Sequence, residues 1–180
     1  MDLKKRLGII SKIVSKQPGL GKTAMMKYIF LLQKIYKMPL GYNFEIYTYG
    51  PYSSEVMEDI DFAKQQSIVS IDRIAYPNGL KGYSIEPTDK LDSILEQESQ
   101  FIAQYKEAVD STIEAFGDRN AKELELLTTI IYLYSTYRAN NWPMEEIPSN
   151  VHDIKPHFDI KTIREELHNL DTQGILELAV

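Results

Sequence analysis

A chain of 180 residues with 43% apolar and 26% charged side chains has a globular composition and enough length for a substantial core. No apolar run approaches the roughly 18 residues of a membrane span. The basic start, Met1 to Arg6, is not followed by an unbroken apolar signal segment, so a cytoplasmic protein with no membrane partner is expected. Zero cysteines exclude disulfides, thiolate nucleophiles and cysteine-based zinc sites.

The net charge of −6 is unevenly spread: residues 1–37 carry nine Lys/Arg against one acid, the remainder eleven against twenty-five. Leu3, Leu7, Ile10 and Val14 recur at helical spacing and predict an amphipathic helix over 3–16, ended by Gln17-Pro18-Gly19. A second helix, 23–37, is apolar around most of its circumference, with Lys27 and Lys34 on a narrow polar stripe. Phe44 to Thr48 alternates as a strand does, and Gly50-Pro51 is expected to turn the chain. Ser53 or Ser54 caps a third helix, with Val56, Ile60 and Ala63 on its inner face.

Residues 68–85 read as a hairpin around an Asn78-Gly79 turn. The order helix, helix, strand, helix, hairpin is that of a winged helix, and it defines an expected N-terminal domain over 1–87. A helical subdomain follows over 88–180. Three-four spacing runs from Leu91 to Phe116, as one helix or two. Asn120-x-x-Glu123 is a capping-box pattern that opens a helix to about Ala139. Val151–Ile154 suggests a short helical turn, Asp159 caps a helix to Thr172, and Ile175 to Val180 reads as a strand. That helix-turn-strand echoes residues 56–71 at an interval of 107, which suggests a partial repeat. The expected class is therefore mainly α (α+β): a winged-helix-like half with a β-hairpin wing, then a helical half ending in helix-turn-strand.

Chemistry is sparse. Pro18-Gly19-Leu20-Gly21-Lys22-Thr23 resembles a phosphate-binding loop, but Lys16 holds the first glycine position and a helix precedes it where a strand is needed. Nucleotide or phosphate binding there is the least favoured reading. His152, His157 and His168 have no ligand spacing, and no Ser/His/Asp or G-x-S-x-G pattern occurs. No catalytic residue, metal or cofactor is expected.

For nucleic acid, the candidate contacts are Lys4, Lys5, Arg6, Lys12, Lys16, Lys22 and Lys27 on the N-terminal face, with Arg73 and Lys81 on the hairpin. The third helix, with Glu55, Glu58, Asp59 and Asp61 against Lys64, would repel phosphates in the usual docking mode. Tyr49, Tyr52, Glu55, Glu58 and Asp59 are instead candidate protein contacts, since tyrosine suits interfaces. Turn and core packing would account for most tyrosines near the strand.

Four stretches carry a resemblance: Lys22-Thr23 with its helix, Tyr49-Gly50-Pro51-Tyr52-Ser53-Ser54-Glu55, Glu123-Leu124-Glu125-Leu126-Leu127-Thr128-Thr129-Ile130, and Lys155-Pro156-x-Phe158. Together they resemble YwgA-type proteins and, more distantly, the Panacea domain of SocA-like antitoxins. The resemblance implies a winged-helix-like bacterial or archaeal protein with a regulatory or antitoxin-type role, and no catalytic residues carry over. The expected function is non-catalytic and exerted through a protein partner; the alternative is a DNA-binding regulator using the basic N-terminal face.

Overall fold

The computed structural model describes residues 2–75, residue 79 and residues 81–180. The chain is mainly helical with two small antiparallel hairpins, an α+β arrangement. Helix α1 (Leu3–Lys16) starts at Asp2, whose carboxylate accepts from Lys4 N, and buries Leu7, Ile10, Ile13 and Val14. The linker after it touches a later strand: Leu20 bridges Ile85, with Ile85 N donating to Leu20 O at 3.0 Å. Helix α2 (Lys22–Lys34) has every residue from Met25 to Leu32 buried; the apolar positions follow the expected pattern, and Lys27, expected on a polar stripe, is buried with them.

The next segment departs from expectation. Strand β1 (Glu45–Tyr47) pairs with β2 (Gly50–Tyr52), so Gly50-Pro51 lies inside a strand and the chain reverses at Thr48-Tyr49. Helix α3 (Ser54–Gln65) follows and buries Val56, Ile60 and Ala63. Strands β3 (Val69–Ala75) and β4 (Lys81–Pro87) form the expected hairpin, with Ile71 opposite Ile85. Of the Asn78-Gly79 turn expected at its tip, Asn78 lies outside the described residues.

The stretch after it is three helices, α4 (Leu91–Gln97), α5 (Ser99–Gln104) and α6 (Lys106–Phe116). The breaks fall at Glu98 and Tyr105, whose backbones leave the helical region. A path bent this way wraps α1 and buries Leu91, Ile102, Val109 and Phe116. Gly8 marks a close approach of α1 to the end of α4, since a Cβ there would sit 2.9 Å from Glu98 Cβ.

Helix α7 (Ala121–Asn140) carries the predicted capping box and buries residues around much of its girth, including Leu124 to Ile131. A single 3-10 turn, Met144–Glu146, leads into α8 (Ile147–Ile154), longer than the turn expected there. Helix α9 (Ile160–Thr172) is capped by Asp159 as expected.

The expected C-terminal strand is instead a helix, α10 (Ile175–Leu178). Gly174, at φ +70°, closes α9, and the next turn satisfies its own backbone, with Ala179 N donating to Leu176 O. An isolated strand would leave those groups unpaired. The echo of residues 56–71 therefore fails at the strand. One apolar core runs through both halves and joins α2 to α7 and α6 across the 87/88 boundary. Among the described residues no helix is long and apolar enough to cross a membrane.

Candidate functional site

The four stretches that carry the resemblance lie far apart in sequence and meet around the β1–β2 hairpin. Its floor is α7. Gly50 rests on that helix with φ +85°, and a Cβ there would lie 3.0 Å from Thr129 Oγ1 and 3.3 Å from Glu125 O. Both the backbone conformation and the contact require glycine. Thr128 and Thr129 turn their hydroxyls back onto Leu124 O and Glu125 O at 2.6 and 2.7 Å, which lets the strand lie close.

Two buried ammonium groups hold the hairpin from either side. Lys27, from α2 and 2% exposed, donates to Pro51 O at 2.6 Å. Lys155, also 2% exposed, donates to Tyr47 O at 2.6 Å and Thr48 O at 2.5 Å. The same ammonium lies 3.3 Å from Glu125 Oε1, and His157 Nε2 approaches that oxygen at 3.4 Å. A buried charge is tolerated when paired and hydrogen-bonded, which describes Lys155; Glu125 Oε1 has the ion pair without a hydrogen bond among the described residues. Among the described residues Lys27 has the Pro51 carbonyl oxygen alone as its direct partner. Burial pulls its pKa down to about 7; Glu125 pulls it back up and Lys155 pushes it further down.

The outer face is aromatic. Tyr47, Tyr49 and Tyr52 are 66%, 64% and 38% exposed, and Tyr83 of β4 is 39% exposed. The Tyr47 and Tyr52 rings stand 5.6 Å apart. These four rings surround a pocket of about 260 Å³ whose wall includes Met26 and Met57. Beyond the hairpin tip a second cleft, about 490 Å³, is bordered by Tyr47, Tyr49, Glu125, Lys155 and His157.

The candidate residues read from the sequence separate into distinct groups. Lys27 is buried and spent on Pro51, so it is no nucleic-acid contact; it is the covered member of the polar stripe, whose Lys34 is half-buried. Asp59 is likewise not a surface contact. It is 5% exposed, takes Arg6 Nε at 2.9 Å and the Tyr42 hydroxyl at 2.6 Å, and burial raises the pKa of both Asp59 and Tyr42. Arg6 is thereby engaged inside, over the Tyr42 ring.

Lys16 pairs with Asp110 at 3.0 Å, and Lys22 with Asp61 at 2.6 Å. Lys22 also lies over the Tyr83 ring, so the Gly21-Lys22-Thr23 turn already has a use for its lysine. Lys4, Lys5, Arg73 and Lys81 are exposed and Lys12 is half-buried. On α3, Glu55 accepts from Asn43 N at 3.3 Å, whereas Glu58 stays exposed. Tyr49 and Tyr52 alone of the candidate protein contacts join the aromatic face. Turn and core packing, expected for most of these tyrosines, holds for Tyr42 and not for Tyr47, Tyr49 or Tyr52.

The sequence pattern gave Glu125 and Lys155 no chemical role; His157 is exposed and still reaches Glu125. A signal was present for the first: Glu125 is a lone acid among Leu124, Leu126 and Leu127 on a helix apolar on most sides. Among the described residues no group of three or more His, Asp or Glu side chains has the geometry to hold a metal ion. Neither the protein-family models nor the curated proteins compared with this chain give a match.

Proposed function

We propose that this protein is a winged-helix-like regulatory module of YwgA or Panacea/SocA-like, antitoxin type, which acts without catalysis by docking a protein partner on its tyrosine face. The observation that carries this reading is the group of exposed rings, Tyr47, Tyr49, Tyr52 and Tyr83, around one apolar pocket. Tyrosine anchors are common in protein interfaces because they bury much area while ordering few torsions. The hairpin beneath them is held by Lys27 and Lys155, so a partner meets a preformed surface.

The winged-helix reading is supported by the order α1, bridging strand residue Leu20, α2, α3, β3, β4, with Leu20 lying on β4 beside the wing. The added β1–β2 hairpin stands against Met57 on α3, the helix that would face DNA. That placement favours a protein partner.

Photocrosslinking from a benzoylphenylalanine at position 49, in the native host, tests the proposal. A discrete adduct is expected there and not from position 114 on α6. Adducts that are absent at 49, or equal at both positions, overturn it.

DNA binding is the second reading, and the exposure of Lys4, Lys5, Arg73 and Lys81 favours it. It requires affinity that falls steeply with salt, and that weakens in the Lys4→Ala/Lys5→Ala variant. No binding at low salt eliminates it.

A further inference from the structure

A groove remote from the tyrosine face lies between α1, the C-terminal end of α3, and α4. It encloses about 420 Å³, within the range of small-molecule sites. Leu3, Leu7, Phe62, Ile68 and Ile94 make its walls. Leu7 and Ile68 are buried, whereas Leu3, Phe62 and Ile94 pack on the core and still keep part of their surface in water. Two exposed lysines stand on the rim, Lys4 on α1 and Lys90 at the start of α4. Neither has a carboxylate within ion-pair distance among the described residues. Lys90 Nζ reaches only Gln66 O, at 3.5 Å. The one acid on the lining, Glu98, packs against Gly8 at the far end of α4. The seven residues of α4 separate it from Lys90, a rise of about 12 Å. The groove is therefore mainly apolar, with Gln66, Ser93 and Gln97 as its neutral polar lining, and cationic at the Lys90 end.

Its size selects the occupant. A volume of 420 Å³ equals roughly one turn of a side-chain-clad helix about 10 Å across, so a partner helix would remain largely outside. An unbranched alkyl chain fits between α1 and α4. We infer that this groove binds a linear amphipathic carboxylate, with its chain along Leu3, Leu7, Phe62, Ile68 and Ile94 and its head group at Lys90.

The test titrates the full chain with octanoate, decanoate and laurate below their micellar concentrations, with decanol as the uncharged comparator. Affinity should rise about three- to fourfold per added methylene. Decanoate should bind more tightly than decanol, and Lys90→Gln should remove that advantage without changing decanol binding. Ile94→Trp, which fills the groove, should weaken both. NMR shifts on titration should fall on the methyls of Leu3, Leu7, Ile68 and Ile94. The inference is overturned if laurate gives no binding or decanol matches decanoate. It is equally overturned if Lys90→Gln leaves the difference intact, or if the shifts fall on other methyls.

Discussion

Both β-hairpins are antiparallel and two-stranded, yet β3–β4 runs through seven paired positions and β1–β2 through three. The longer one is self-supporting in the usual way. Its own ladder pairs the backbone, Val69, Ile71 and Ile85 anchor one face in the core, and Leu20 adds a bridge. The shorter one has a proline in a three-residue strand, and Tyr47 and Tyr52 face water. A hairpin of that length is marginal alone. Remote ammonium groups take three of its carbonyls, and that is how a short segment can carry exposed rings in fixed positions.

Removing Lys155 should break this difference most. Lys155→Met leaves Tyr47 O and Thr48 O without their donor and Glu125 as a buried charge with His157 as its remaining ion-pair contact among the described residues. A loss of about 3–5 kcal/mol is expected in denaturant unfolding. Amide exchange should quicken across residues 45–52 and stay slow in β3–β4. Adding Glu125→Leu should recover much of the loss, since the orphaned charge goes with it. Equal exchange in both hairpins would refute the clamp.

Gly50→Ala comes next. It forces an L side chain into φ +85° and drives its Cβ to 3.0 Å from Thr129 Oγ1 and 3.3 Å from a helix carbonyl. A cost of about 2–3 kcal/mol is expected. Gly79→Ala in the other hairpin also sits at positive φ, but nothing lies within 4 Å of its Cβ. It should cost about 1–2 kcal/mol, the backbone part alone. A pair of equal losses would mean that Gly50 does not rest on α7.

The same contrast explains what could be read in advance. The β3–β4 hairpin, the capped ends of α7 and α9, and the burial of the apolar positions of α2 follow from patterns within a dozen neighbouring residues, and they were legible. The β1–β2 hairpin depends on Lys155, more than a hundred residues away, so its local sequence suggested a turn at Gly50-Pro51 instead. Charged side chains misled for a related reason. Lys27 and Asp59 look like surface residues by type, and only tertiary partners, Pro51 O for one and Arg6 with Tyr42 for the other, make their burial tolerable. The strand expected at 175–180 had the right composition and no partner to pair with in the structure.

A smaller effect is expected from pH. Lys27 titrates near 7 in the folded protein against an ordinary value of 10.5. Between those values the unfolded chain holds a proton that the folded chain has lost, so stability rises as pH increases through this window. Below about pH 7 both states are protonated and the cost of burying the ammonium is fully present. The contribution is on the order of 1–3 kcal/mol, or about 2–4 °C of Tm per kcal/mol. Other groups titrate in the same range, so the readout is the difference from Lys27→Met, whose Tm should rise less between pH 7 and 9.5. Parallel curves would show that Lys27 keeps its ordinary pKa and that its burial is shallower than described.

Tyr49→Ala should have the smallest effect on folding and the most informative one on binding. The ring is 64% exposed at the tip of the short hairpin, where the carbonyls rather than the side chains are held from below. Stability should change by less than about 0.5 kcal/mol, as for an ordinary surface position. The exchange rates of residues 45–52 should match wild type, which separates this variant from Lys155→Met. Retention of a crosslinked partner, in contrast, should fall at least tenfold if the ring is an anchor, the scale of a truncated interface tyrosine. A Tyr49→Ala protein that unfolds early while keeping its partner reverses the assignment, making the ring a packing element and moving the docking surface elsewhere. A variant that folds normally and loses the partner ties the two ends of the argument together: buried lysines fix the hairpin, and the hairpin presents the rings.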